Sequence, residues 1–172
     1  DAVAVSSGPG SYTGLRIGVS MAKGLCFGYG IPLIAVSTLK IIASKAISLN
    51  NKTNETLYCA MLDARRMEVY ASIFDKELTT CRETAADIVT PETYEDFLNK
   101  GPVCFFGNGA EKCKTVITHP NAMFIDDIYP LAEDMALLAE DAFTKGEFKD
   151  VAYFEPFYLK DFVATVARNK VF

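Results

Sequence analysis

Near the N-terminus, short apolar runs alternate with stretches of helical period. Ala2 to Val5 is apolar and ends in Ser6-Ser7-Gly8-Pro9-Gly10, the pattern of a strand entering a tight loop. A helix is predicted from Ser11 or Thr13 to Gly28–Gly30, where two glycines flank Tyr29 and Pro32 follows. Leu33 to Val36 predicts a second short strand. Ser37 or Thr38 then caps a helix carrying Leu39, Ile42, Ala43 and Ala46. Asn50-Asn51-Lys52-Thr53-Asn54 is polar and turn-forming, which makes it the best boundary in the chain.

Beyond that boundary the texture changes to hairpins. Leu57 to Leu62 and Met67 to Phe74 predict two strands joined through Asp63-Ala64-Arg65-Arg66, and Met67, Val69, Ala71 and Ile73 share one face of the second. Ala86 to Val89 is a candidate third strand. Thr90-Pro91-Glu92 predicts a short helix through Phe97, with Thr90 as N-cap and Pro91 in the first helical position. Val103 to Phe106 reads as a buried strand ending in Gly107-Asn108-Gly109. The last strong helix is predicted from Pro130 or Leu131 to Gly146, with Leu131, Met135, Leu138 and Ala142 on its apolar stripe. The tail from Phe154 to Phe172 is aromatic and ends basic, with Arg168 and Lys170. Strand–helix repeats followed by hairpins and helices predict an α/β first lobe over 1–50 and a mixed second lobe over 55–172. Because the chain opens on a strand already under way, the natural protein is expected to continue upstream of Asp1.

Composition narrows the class. The chain has 172 residues, 50% of them hydrophobic, so a substantial core is available. The net charge of −5 and pI of about 4.9 disfavour independent binding to a phosphate backbone. The apolar runs are broken well short of membrane-spanning length, which predicts a soluble, cytoplasmic protein. Its five cysteines, Cys26, Cys59, Cys81, Cys104 and Cys113, are widely spaced and form no CxxC pair. That spacing argues against zinc or a disulfide framework and predicts small buried thiols.

The segment SSGPGSYTGLRIGVSMAKGL, from Ser6 to Leu25, resembles the GPGSFTGLRIG signature of the TsaB (YeaZ) family, with Tyr12 where Phe is more usual. GIPLIAVSTL from Gly30, LDARRMEVYAS from Leu62 and PFYLKDFVA near the C-terminus follow that family's pattern in the same order. The resemblance implies an actin-like, sugar-kinase-like ATPase fold with two RNase-H-like lobes. The first lobe then lacks its opening meander, with Asp1 at the start of the fourth strand. It also implies a role in making threonylcarbamoyladenosine in tRNA, beside the catalytic paralogue TsaD of the family once labelled glycoprotease.

Comparison with TsaD predicts a chain that is not itself an enzyme and holds neither metal nor cofactor. TsaD carries a metal-binding His-x-x-x-His after its second strand; Thr38 and Ile42 stand at those positions here. The only histidine, His119, lies far off in sequence. TsaD turns its phosphate hairpin through Ser-Gly-Gly, whereas Asp63-Ala64-Arg65-Arg66 has no glycine. Gly107-Asn108-Gly109 resembles the fold's adenosine-side loop but reads first as a tight strand-to-helix turn. Asp63 and Arg65 read either as cleft contacts or as turn-formers. Ser6, Ser7 and Ser11 lie in a Gly-rich loop without the Gly-x-Ser-x-Gly pattern of a nucleophile elbow. A nucleotide-binding sugar-kinase-like enzyme and, behind it, a peptidase are the alternative readings.

The helix after the signature loop has two apolar stripes: Leu15, Val19, Ala22 and Cys26, and then Ile17, Met21 and Gly24. Gly14, Gly18 and Ala22 predict a shallow groove for a neighbouring helix. A helix apolar over most of its circumference expects partners on more than one side; the alternative is that all of it packs within its own complete lobe. In the TsaB family the matching helices bundle with those of TsaD or with a second copy, and TsaE, an ATPase, joins the pair. Leu15, Arg16, Gly18, Val19, Ala22 and Lys23 are thus the candidate partner-facing residues. tRNA is expected to be met only through the complex, and no membrane is expected.

Overall fold

A computed structural model describes residues 1–49 and 55–159. The predicted boundary at Asn50–Asn54 and the basic end of the tail, Arg168 and Lys170, lie outside the described residues.

The first strand, β1 (Val3–Gly8), pairs in parallel with β2 (Leu33–Ser37), and helix α1 (Tyr12–Tyr29) connects them. The Ser11 side chain accepts the Gly14 N–H at 3.3 Å and caps α1. Gly30, at φ +63°, ends it, with the Ile31 N–H bonded back to the Cys26 carbonyl at 3.1 Å. Leu15, Val19, Ala22 and Cys26 are the buried positions of α1, as a 3.6-residue period requires. Ala22 and Cys26 meet Leu33, Val3 and Val5 on one face of the small sheet. Ile34, Val36 and Ile41 pack on the other with Ala2, Ala4, Met135, Leu138 and Ala142.

Helix α2 (Thr38–Leu49) serves two layers. Ile41 faces the small sheet, while Leu39, Ile42, Ala43 and Ala46 pack on a second, five-stranded sheet. That sheet runs β5–β4–β3–β6–β7, with β3 (Leu57–Asp63), β4 (Glu68–Phe74), β5 (Thr80–Ile88), β6 (Val103–Phe106) and β7 (Ala122–Ile125). β4 is antiparallel to both β3 and β5; β6 runs parallel to β3, and β7 to β6. Central β3 is apolar without alternation because both faces are covered. Tyr58, Ala60 and Leu62 face α2, and Cys59 and Met61 face a core closed by Val69, Tyr94, Leu98, Phe105 and Cys113.

Several elements differ from expectation. β5 starts at Thr80 rather than Ala86, and β7 has no counterpart in the sequence reading. Thr90 caps no helix: its N–H donates to Thr93 Oγ1 at 2.7 Å, turns follow, and a one-turn helix α3 (Glu95–Leu98) forms late. The final helix, α4 (Ala136–Thr144), begins only after a 3₁₀ turn at Glu133–Met135. Leu131 is exposed and off the stripe, because the segment is drawn onto α2 by Asp134, whose carboxylate accepts from Lys45 at 2.8 Å. Cys81 is the one exposed thiol of the five, placed on the edge strand β5. Among the described residues no helix is long and apolar enough to cross a membrane.

Candidate functional site

Two regions gather the residues singled out in the sequence. The first lies at the C-terminal ends of β3 and β6. Asp63 ends β3, and its carboxylate accepts the Arg65 backbone N–H at 3.1 Å and a bond from Lys112. The Lys112 ammonium also donates to the Arg66 and Glu68 carbonyls, each at 2.7 Å. Those bonds, led by the one from Lys112, hold the Asp63 carboxyl below its ordinary range. Asp63 is therefore a turn-former, clamped by a lysine that sequence reading did not single out. A separation of 49 residues left no local signal for that contact.

The Asn108 side-chain carbonyl accepts the Asp63 N–H at 3.0 Å, so the Gly107-Asn108-Gly109 loop is tied to the same hairpin. Gly107 sits at φ +95°, and a Cβ there would lie 2.2 Å from the Met61 carbonyl oxygen. At Gly109 it would lie 2.8 Å from the Leu62 carbonyl carbon. Close approach to β3 therefore demands both glycines. Beside the loop is a hollow of about 140 Å³, bounded by Glu111, Lys114, Asp126, Asp127, Ile128 and Tyr129. Pockets for drug-sized ligands usually run to about 300–1,000 Å³, and the charged groups here are Glu111, Asp126 and Asp127 against Lys114, which pairs with Asp126.

Thr38 and Ile42 are both taken up by the fold. Thr38 shares a 2.6 Å hydroxyl–hydroxyl bond with Ser6, joining the end of β1 to the start of α2. Ile42 is wholly buried on the second sheet. His119 precedes β7, where its Nδ1 accepts the Asn121 N–H at 3.1 Å. Ser7 accepts the Phe157 N–H through its backbone carbonyl, and Ser11 is the helix cap. Among the described residues no cluster of three His, Cys, Asp or Glu forms a metal-binding group.

The second region is α1. Leu15, Val19 and Ala22 face their own strands, and a Cβ at Gly18 would meet Val5 Cγ2 at 3.9 Å. Gly14 is exposed, so Gly14, Gly18 and Ala22 do not line one open groove. The Lys23 ammonium turns to the carbonyls of Ala152 and Phe154, at 2.9 and 3.1 Å. Arg16 is exposed, donates to the Tyr12 hydroxyl at 2.7 Å, and borders a groove of about 350 Å³ completed by Glu155, Pro156 and Tyr158. The opposite face of α1 carries bare apolar side chains, Ile17 at 65% exposed and Met21 at 70%, while Phe27 and Tyr29 stand exposed on either flank of the last turn. Gly14, Ile17, Met21, Gly24 and Gly28 follow one another at alternating steps of three and four, a seam of heptad type.

A family model described as "TsaD: tRNA N6-adenosine threonylcarbamoyltransferase" matches residues 1–170. The tRNA threonylcarbamoyladenosine biosynthesis protein TsaB of Escherichia coli is 33% identical over 171 residues, covering 95% of this chain and 72% of that protein. Its Bacillus subtilis namesake is 33% identical over 118 residues, 67% of this chain and 49% of that one. Among solved structures, a Pseudomonas aeruginosa protein described as similar to peptidase YeaZ superposes with a TM-score of 0.77 at 29% identity. It covers 93% of this chain and 74% of that one.

Proposed function

Because the chain belongs to the TsaB (YeaZ) family and carries the TsaD-type domain, we propose that it is a non-catalytic partner of TsaD in tRNA threonylcarbamoyladenosine synthesis. The relatives' name supplies the pathway. The observation that carries the partner role is the apolar seam of α1, which keeps Ile17 and Met21 in solvent on a helix whose other side is already buried. Large exposed apolar patches mark interaction sites. A heptad seam edged by glycines suits a second helix: that of TsaD, or of another copy of this chain. Leu15, Val19 and Ala22 anchor the helix from behind, Gly18 faces Val5 of β1, and Arg16 borders the neighbouring groove.

In this reading the β5–β4–β3–β6–β7 order is that of the RNase-H-like second lobe, and β1–β2 with α1 belongs to the first lobe of an actin-like fold. The threonylcarbamoyl transfer belongs to TsaD. TsaE joins the pair, tRNA is met through the complex, and the setting is the cytoplasm. The sugar-kinase-like alternative is weakened by the small, net-acidic hollow and the arginine-bearing turn.

Co-purification with a TsaD subunit tests the proposal. The double change Ile17→Glu and Met21→Glu is expected to weaken association by about 30-fold or more while leaving thermal unfolding unchanged, since hot-spot residues carry about 2 kcal/mol or more. Undiminished pairing of that variant with TsaD overturns the seam as the interface.

A further inference from the structure

The β3–β4 hairpin turns through two consecutive arginines in the left-handed region, Arg65 at φ +70° and Arg66 at φ +49°. Turns of this kind favour Asn-Gly, because side chains with a Cβ are strained there. The fold holds the strained turn with two devices already described: the Asp63 carboxylate on the Arg65 N–H, and the three-pronged Lys112 ammonium that takes the Arg66 and Glu68 carbonyls. Both arginine side chains are exposed, and neither guanidinium donates to an acceptor among the described residues. Arg16 and Arg82, by contrast, each bond within the fold. Asp63 feels the charge of Arg65, but it accepts from Lys112 and from the backbone.

From this geometry we propose that the Arg65–Arg66 tip is a phosphate-contacting point for the RNA strand handled by the assembled complex. The inference rests on the tRNA-modification reading above. Guanidinium groups match phosphate oxygens in a planar, two-pronged way, and phosphate contacts position an RNA without reading its sequence. A chain of net charge −5 repels RNA over most of its surface, so contact is confined to a local basic projection. The acids nearest in sequence, Asp63 and Glu68, flank the turn as the last residue of β3 and the first of β4, and the Asp63 charge is met by Lys112.

The test uses the protein assembled with its TsaD partner and an unmodified ANN-decoding tRNA, with affinity measured across a salt series. Replacing the turn by the sequence it favours, Arg65→Asn with Arg66→Gly, removes both charges and relaxes the backbone, so the fold is kept. Two lost phosphate contacts are expected to flatten the log K against log salt slope by about 1.4 to 1.8 and to weaken binding by about 10- to 30-fold near physiological salt. Arg65→Lys with Arg66→Lys is expected to keep most of the slope. An unchanged slope in the Asn-Gly variant overturns the proposal. So does loss of assembly with TsaD in that variant alone, which makes the tip a protein contact. Failure of the unaltered chain to assemble with TsaD strikes the partner reading instead, and sedimentation of the wild-type pair reports that separately.

Discussion

Asp87 is a buried carboxylate with a full set of donors. Arg82 grips it through two nitrogens at 2.8 and 2.6 Å, and Tyr94 donates to it at 2.8 Å from the core side. Burial pushes the Tyr94 phenol well above its ordinary value, with the Asp87 charge adding to the effect, so the phenol stays a donor at every physiological pH. Burial raises the nearby Cys59 thiol likewise, which makes it inert rather than nucleophilic. Arg82→Met leaves the Asp87 charge with only a phenol and is expected to cost about 3 kcal/mol, the low end for a broken buried pair because Arg82 is partly exposed. Tyr94→Phe removes one bond and is expected to cost about 1–2 kcal/mol. Urea unfolding of the two variants checks both values and their order. Neither Arg82 nor Asp87 stands out in the sequence: β5 lacks clean alternation, and its register shifts opposite Ala71 and Ile73.

At the scale of elements, the Lys112 clamp ties the hairpin tip to the Gly107 loop's side of the sheet. The Asp63 carboxyl is held low in the folded chain, so its contribution is present above the unfolded value of about 3.9 and is lost as pH falls through the lower folded value. NMR titration is expected to place the Asp63 midpoint below about 3.9, and Lys112→Met to return it towards that figure. A midpoint unmoved by the substitution would show that the clamp is not the cause. Elements that carry their own signals were legible in advance: α1 from its cap and terminal glycine, β3 from an apolar run, and α2 from its period. The missing signals have physical reasons. β7 is four residues of uniformly half-buried edge strand and shows neither alternation nor a continuous buried run. The Thr90 cap failed because Thr93 bonds both the Thr90 N–H and the Ile88 carbonyl. α4 starts late because Asp134 is drawn to Lys45, a contact 89 residues away in sequence.

On the scale of the whole molecule, the strap over 149–158 joins distant parts of the chain. The Lys149 N–H donates to the Leu33 carbonyl at 2.8 Å, and the Phe157 N–H to the Ser7 carbonyl at 2.7 Å. Between them Lys23 gathers the Ala152 and Phe154 carbonyls. The sequence marked Lys23 as a surface contact; only tertiary structure turns it inward, which is why the strap, and half of the α1 surroundings, were illegible. Lys23→Met is expected to speed hydrogen exchange at the Lys149 and Phe157 amides while leaving the β3 amides protected, since opening of the strap leaves the five-stranded sheet intact. Equal acceleration in β3 would show that strap and sheet open together. The strap also sets an order of events in the cell. Lys23 leaves the ribosome 129 residues ahead of its first acceptor, a delay of roughly 10 s at ordinary rates of synthesis. Throughout that interval the helix bearing the bare seam lacks the strap. A nascent chain therefore carries the bare Ile17 and Met21 surface for some seconds before the strap can close behind the helix.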